Sequence, residues 1–103
     1  MNQIAFTRWQ DKKMTEIFPG ISYCQLWSGN SEGKAVVVKI EPGGTWQGFD
    51  VHNSGSEEIF VVEGIFSDGE RDYSAGTFVH YPQGSRHIPQ SKTGCLLFVF
   101  YPQ

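Results

Sequence analysis

Cysteine, positive charge and long apolar runs are all in short supply in this chain, and each shortage removes a class of function. Two cysteines, Cys24 and Cys95, are too few for a disulfide framework and have no Cys-x-x-Cys spacing. Both lie in apolar, strand-like segments, where a free thiol behaves as a small buried hydrophobe. The eight Lys and Arg are scattered apart from Lys12-Lys13, and the net charge is -3. No basic stripe can track a phosphate backbone, so nucleic acid is not an expected partner.

The longest apolar run, residues 95–101, is far too short to span a bilayer, and the amino terminus lacks the apolar stretch of a secretory signal. No membrane association is expected, and the expected compartment is the cytoplasm. Catalytic nucleophiles also lack their context: there is no Gly-x-Ser-x-Gly elbow, neither Cys has a His and acid pattern beside it, and Gly43-Gly44 precedes no helix that could cradle a phosphate. No period of twenty to fifty residues repeats, which excludes solenoids and propellers.

Turn residues and short β-branched or aromatic runs are plentiful. Glycine occurs 12 times and proline five times in 103 residues, a length that suits one domain. Strand-like runs cover residues 21–27, 34–41, 45–51, 57–62, 65–67, 77–81, 86–89 and 95–100. Turn signals separate them, including Pro42-Gly43-Gly44, a tight turn at Glu63-Gly64, a hairpin tip over 67–72 and Pro82-Gln83-Gly84. Eight or nine strands at this spacing predict an all-β double-sheet jelly-roll barrel, because closure hides the edges such short strands would expose. Residues 1–14 are expected to form an arm or edge strand, and 15–103 the barrel.

Two segments hold nearly all the potential metal donors. In the first, Asp50 and His52 stand two apart, so in a strand they share a face while Phe49 and Val51 point away. Glu57 follows after a short loop and can share that face. In the second, the Pro82-x-Gly84 turn returns His87 toward the same mouth. Neutral imidazoles and carboxylates are good donors for first-row divalent ions, so Asp50, His52, Glu57 and His87 form a candidate ligand set for one ion of iron, zinc, manganese or nickel. His80, Glu58 and Glu63 read as surface or turn residues instead. Trp46, Phe60, Phe66, Phe78, Tyr81, Phe98 and Phe100 exceed what a small barrel can enclose, so some are expected on a pocket wall or on a homodimer interface.

The two segments resemble the paired cupin motifs, G-x5-H-x-H-x(3,4)-E-x6-G and G-x5-P-x-G-x2-H-x3-N. The second is matched by Gly76, Pro82, Gly84 and His87, with Ser91 in place of the Asn; the first is matched by His52, Glu57 and Gly64, with Asp50 where the first His stands. More narrowly, residues 57–64, 66–69, 72–77, 82–87 and 94–99 are similar to the cupin domain of ChrR-type anti-sigma factors and to small relatives of acetylacetone-cleaving dioxygenases. That resemblance implies a single-domain cupin, or double-stranded β-helix. It also implies a small-molecule ligand or substrate and either of two functions: a non-haem metal-dependent dioxygenase acting on an enolisable, β-dicarbonyl-like compound, or a metal-dependent ligand- or stress-sensing module.

Overall fold

The computed structural model describes residues 3–30 and 33–102. The first two residues of the expected arm lie outside them. Among the described residues nine strands follow in chain order: β1 (Thr15–Phe18), β2 (Ile21–Ser28), β3 (Lys34–Ile40), β4 (Asp50–Val51), β5 (Glu57–Ser67), β6 (Asp72–Ser74), β7 (Phe78–Tyr81), β8 (Arg86–His87) and β9 (Cys95–Tyr101). A 3-10 turn at Trp9–Asp11 precedes them.

Seven strands form one antiparallel sheet in the order β1-β2-β3-β9-β5-β6, with β7 following β6 along the same edge of β5, opposite β9, while β4 and β8 pair with each other. The β-branched run of β3 and the aromatic and aliphatic residues of β2 and β9 suit the pleated, half-buried surface that such a sheet provides. Their inward residues, including Ile21, Val36, Leu97 and Val99, meet Ile59, Val61 and Phe66 in the main core. A smaller cluster lies on the outer face, where Trp9, Met14 and Leu26 pack on Cys24, Val37 and Leu96. Both cysteines are free and buried, as their apolar segments predicted.

The run expected at 86–89 is strand only at Arg86–His87, and two other expected boundaries move further. Glu63-Gly64 is not a turn: the two runs flanking it are one strand, β5, with a bulge between Val61 and Glu63 against β9. A bulge leaves the chain its direction while shifting its register, and a Gly in a strand pattern signals either outcome. Gly64 has φ +78, and a Cβ there would lie 2.9 Å from the Cys95 Cα, so the position takes glycine for closeness as well as conformation. Conversely, the run at 45–51 is strand only at Asp50–Val51, because Gly48 adopts φ +88 and interrupts the extended backbone. Residues 45 and 46 keep contact through the Thr45–Gln90 bridge and a bond from the Trp46 N–H to the Pro89 carbonyl.

The turn at residues 82–85 and the pairing of β4 with β8 set the barrel mouth. Asp50 lies opposite His87 and Val51 opposite Arg86. Backbone bonds from His52 to the Ser85 carbonyl, and from Gly84 to the His52 carbonyl, extend that pairing by one residue on each side.

Candidate metal centre

The alternation expected around residue 50 is present. Phe49 and Val51 are 52% and 47% exposed, with the Arg86 guanidinium over the Phe49 ring, while His52 is buried and Asp50 half-buried on the other side. Glu57, the first residue of β5, and His87, the last of β8, are both buried. All four side chains meet: one donor atom from each lies within 4.8 Å of the other three.

Glu57 is the hub. Its Oε1 is 3.1 Å from the His87 Nε2 and 3.1 Å from the His52 Nε2, and its Oε2 accepts a 2.6 Å hydrogen bond from the Tyr101 hydroxyl. The Asp50 Oδ2 lies 3.4 Å from the same His87 nitrogen. Despite its closeness to Glu57, the His52 Nε2 is off the line of a hydrogen bond and has no partner, although it is buried. Buried polar atoms are nearly always satisfied, so an orphaned imidazole nitrogen beside two carboxylates fits the role of a metal ligand. Ligands about 2.1 Å from one first-row ion lie about 3 to 4 Å from each other, close to the spacing here. The donor set and its geometry therefore suit one divalent first-row ion.

The electrostatics follow from the crowding. Burial works to raise the Glu57 carboxyl, but the close His52 and His87 imidazoles and the Tyr101 hydroxyl outweigh it and hold the group down to about 2. Burial works to lower the His87 imidazolium, but Asp50 and Glu57 outweigh it and raise the group to about 9. In the absence of a cation, a proton on His87 neutralises part of the paired negative charge. With Tyr101 the larger influence is burial, which adds to the nearby Glu57 charge in raising the phenol well above its ordinary value. It remains a hydroxyl donor.

Other side chains hold the donors in place, and the spacing of the sequence did not reveal them. Tyr81 stacks on the His87 ring with centroids 4.2 Å apart and planes 23° from parallel. Its hydroxyl donates to Asp68 Oδ2 at 2.8 Å, which also accepts from Tyr73. Asp68 Oδ1 accepts the Glu70 and Arg71 N–H groups, so the carboxylate of the hairpin tip anchors both its own turn and the Tyr81 ring. An Asp opening a turn before Gly69 was a visible signal of the turn but not of the tyrosines. Ser91, at the motif position usually held by Asn, is 1% exposed and donates to the Ile65 carbonyl at 2.5 Å while accepting the Gly94 N–H. It fastens the loop before β9 and stays clear of the four donors. His80 and Glu58 also stay clear, forming a 2.7 Å pair on the outer face, and Glu63 is exposed.

Two cavities meet at the donors. An outer, polar one of about 440 Å³ is lined by His52, Asp50 and the 53–56 loop. An inner one of about 340 Å³ runs into the barrel between Glu57, His87 and apolar side chains that include Val36, Ile59 and Leu97. A profile described as the ChrR cupin-like domain matches residues 2–103.

The chain belongs to the ChrR cupin-like family.

Solved structures agree on the cupin fold. The ChrR–SigE complex of Rhodobacter sphaeroides is similar over 92% of this chain and 51% of the matched chain, with TM-score 0.77 and 22% identity. The chain thus spans about half the length of that relative. An RmlC-like cupin from Shewanella frigidimarina is similar over 96% of this chain and 90% of its own, with TM-score 0.80 and 24% identity. An acetylacetone dioxygenase from Acinetobacter johnsonii reaches TM-score 0.84 at 11% identity, over 98% of this chain and 75% of its own. No curated protein sequence matches.

Proposed function

We propose that this cupin is a metal-dependent oxygenase of small enolisable compounds, with Asp50, His52, Glu57 and His87 holding one divalent ion. The observation that carries the reading is the orphaned, buried His52 Nε2 facing two carboxylates and a second imidazole beside an apolar cavity. An ion bound there would supply Lewis acidity to an enolate chelated through its oxygens. The chain's own residues do the rest. Tyr101 occupies Glu57 Oε2 and leaves Oε1 free to bind, Tyr81 fixes the plane of the His87 ring, and the walls of the inner cavity exclude water from the reacting carbon. The likeness to the acetylacetone dioxygenase supports this substrate class.

The test is oxygen uptake by iron(II)-loaded protein across a panel of β-diketones. Uptake that disappears in His52→Ala is the expected result. Uptake no faster than with free iron(II), together with zinc held tightly by the protein as isolated, would favour a second reading. In that reading the domain senses a ligand or stress through metal occupancy, and membership of the ChrR cupin-like family favours it.

The assembly belongs to the same proposal. Phe78, Phe60 and Phe98 are direct neighbours across β7, β5 and β9, and their exposures are 62%, 42% and 36%. On the arm of the same chain, Ile4 and Phe6 are 93% and 92% exposed. A two-fold pairing that lays each arm on the partner's phenylalanine row covers both features at once, which makes a homodimer the proposed state. A monomer by light scattering at micromolar concentration would overturn it.

A further inference from the structure

Lys34 is the one Lys or Arg among the described residues that line either cavity, and it lines both. It opens β3 directly opposite Tyr101 of β9, and its ammonium sits 5.0 Å from the centre of the Tyr101 ring. The hydroxyl of that ring holds Glu57. Asp50 and Tyr101 line both cavities too, so Lys34 stands at the boundary where the polar outer space meets the apolar inner one.

We propose that Lys34 selects a small organic oxyanion, a carboxylate or an enolate, whose apolar body occupies the inner cavity while its charged oxygens lie between the four-donor cluster and the Lys34 ammonium. The proposal rests on the metal centre proposed above, and charge balance carries it. Asp50 and Glu57 contribute two negative charges and a divalent ion cancels them, so the ammonium leaves the loaded site with one positive charge. A monoanion neutralises it; a neutral analogue leaves it unanswered and a dianion exceeds it. The walls set the rest of the ligand. Val36, Ile59 and Leu97 offer no hydrogen bonds, and about 340 Å³ is at the small end of ligand cavities, so the body is apolar and short. Lysine acts as a compact charge on a flexible stem, which suits an oxyanion of unfixed geometry better than a planar fork would.

The test uses two probes of equal length, pentanoate and pentanamide, titrated calorimetrically into zinc-loaded protein of measured metal content. Wild type should prefer pentanoate by about tenfold or more, the low end of what a charge-assisted hydrogen bond provides. Lys34→Met keeps the stem and should lose that preference with its metal content unchanged, whereas Lys34→Arg should keep most of it. An unchanged preference in Lys34→Met that carries one zinc per chain overturns this inference and leaves the metal centre standing, and so does a wild type that binds zinc without preferring the anion. Absence of stoichiometric zinc with a Lys34-dependent preference still present overturns the metal centre alone. Loss of both in wild type overturns both.

Discussion

On β5, alternate residues live in different surroundings. Glu57, Ile59 and Val61 point inward and are 3%, 2% and 0% exposed, whereas Phe60 and Val62 point outward and are each 42% exposed. The outward residues are no less apolar than the inward ones. Alternation places them, and what lies opposite decides whether water reaches them: the inner face meets the rest of the barrel, whereas the amino-terminal arm packs on Cys24, Val37 and Leu96 of other strands. The mouth end of the inner face differs again, because Glu57 is as deeply buried as its apolar neighbours and is tolerable there only with charge around it. Mutations at neighbouring positions of one strand should therefore act on different properties.

The largest effect is expected at the mouth. His87→Ala removes a donor that the Pro82-x-Gly84 turn holds against Glu57, and stoichiometric metal binding should be lost altogether. Asp50→Ala should weaken binding less, because Asp50 is half-buried and lies slightly farther from the shared centre, 3.4 Å from His87 Nε2 against 3.1 Å for Glu57. Metal analysis of the purified variants checks both, and metal equal to wild type in His87→Ala would remove the proposed centre.

Next in size is the contrast between Ile59 and Phe60. Ile59→Ala opens a cavity in the main core and should cost about 2 to 5 kcal/mol of unfolding free energy by denaturant titration. Phe60→Ala removes a larger side chain but one that is half in water, so it should cost the monomer much less and act instead on the monomer–dimer equilibrium. Equal losses at the two positions, without any change in association, would mean that the outer face is covered within one chain.

Proton linkage separates the faces by a smaller margin. Glu57 is held at about 2, so its contribution to stability is complete above the ordinary carboxylate value near 4.5 and is lost as pH falls through about 2. His87 is raised to about 9, so in metal-free protein its contribution is complete below the ordinary imidazole value near 6.5 and is lost as pH rises through about 9. Melting temperature of metal-free protein should be highest between about pH 4.5 and 6.5 as far as these two groups govern it. The alkaline decline should flatten in His87→Gln, and metal uptake should strengthen over the same rise in pH because a donor imidazole must be neutral. A decline of the same steepness in His87→Gln would assign the linkage elsewhere.

Local rules made some of this molecule legible in its sequence and left the rest hidden. The period of two put Asp50 and His52 on one side, and the Pro-x-Gly turn returned His87, because strand alternation and turn geometry are properties of neighbouring residues. Tyr101 holds Glu57 across 44 positions and Tyr81 reaches Asp68 across 13, and no local spacing encodes such pairs. Lys34 was one scattered charge among eight until the pairing of β3 with β9 set it over Tyr101. The bulge at Glu63-Gly64 was misread as a turn because a glycine serves either one, and only the close approach of Cys95 distinguishes them.

The smallest expected effect is at Glu58, one residue from the hub of the site and on the opposite face. Its carboxylate accepts a 2.7 Å bond from Ser56 and pairs at 2.7 Å with His80, so by distance it is better bonded than Glu57 is to either imidazole. Exposure reverses the ranking. The His80 side chain is 54% exposed, and a pair with one partner in water gains little because solvent and salt screen the attraction while two side chains lose rotamer freedom. Glu58→Gln keeps the shape and removes the charge, and should change unfolding free energy by about 0.5 kcal/mol or less with metal content unaltered. Glu57→Gln, one residue away, removes a charge buried among three partners and should reduce metal binding severely. A Glu58→Gln variant that lost metal as readily as Glu57→Gln would mean that the two faces of β5 are coupled, and the barrel mouth would then extend to the outer surface.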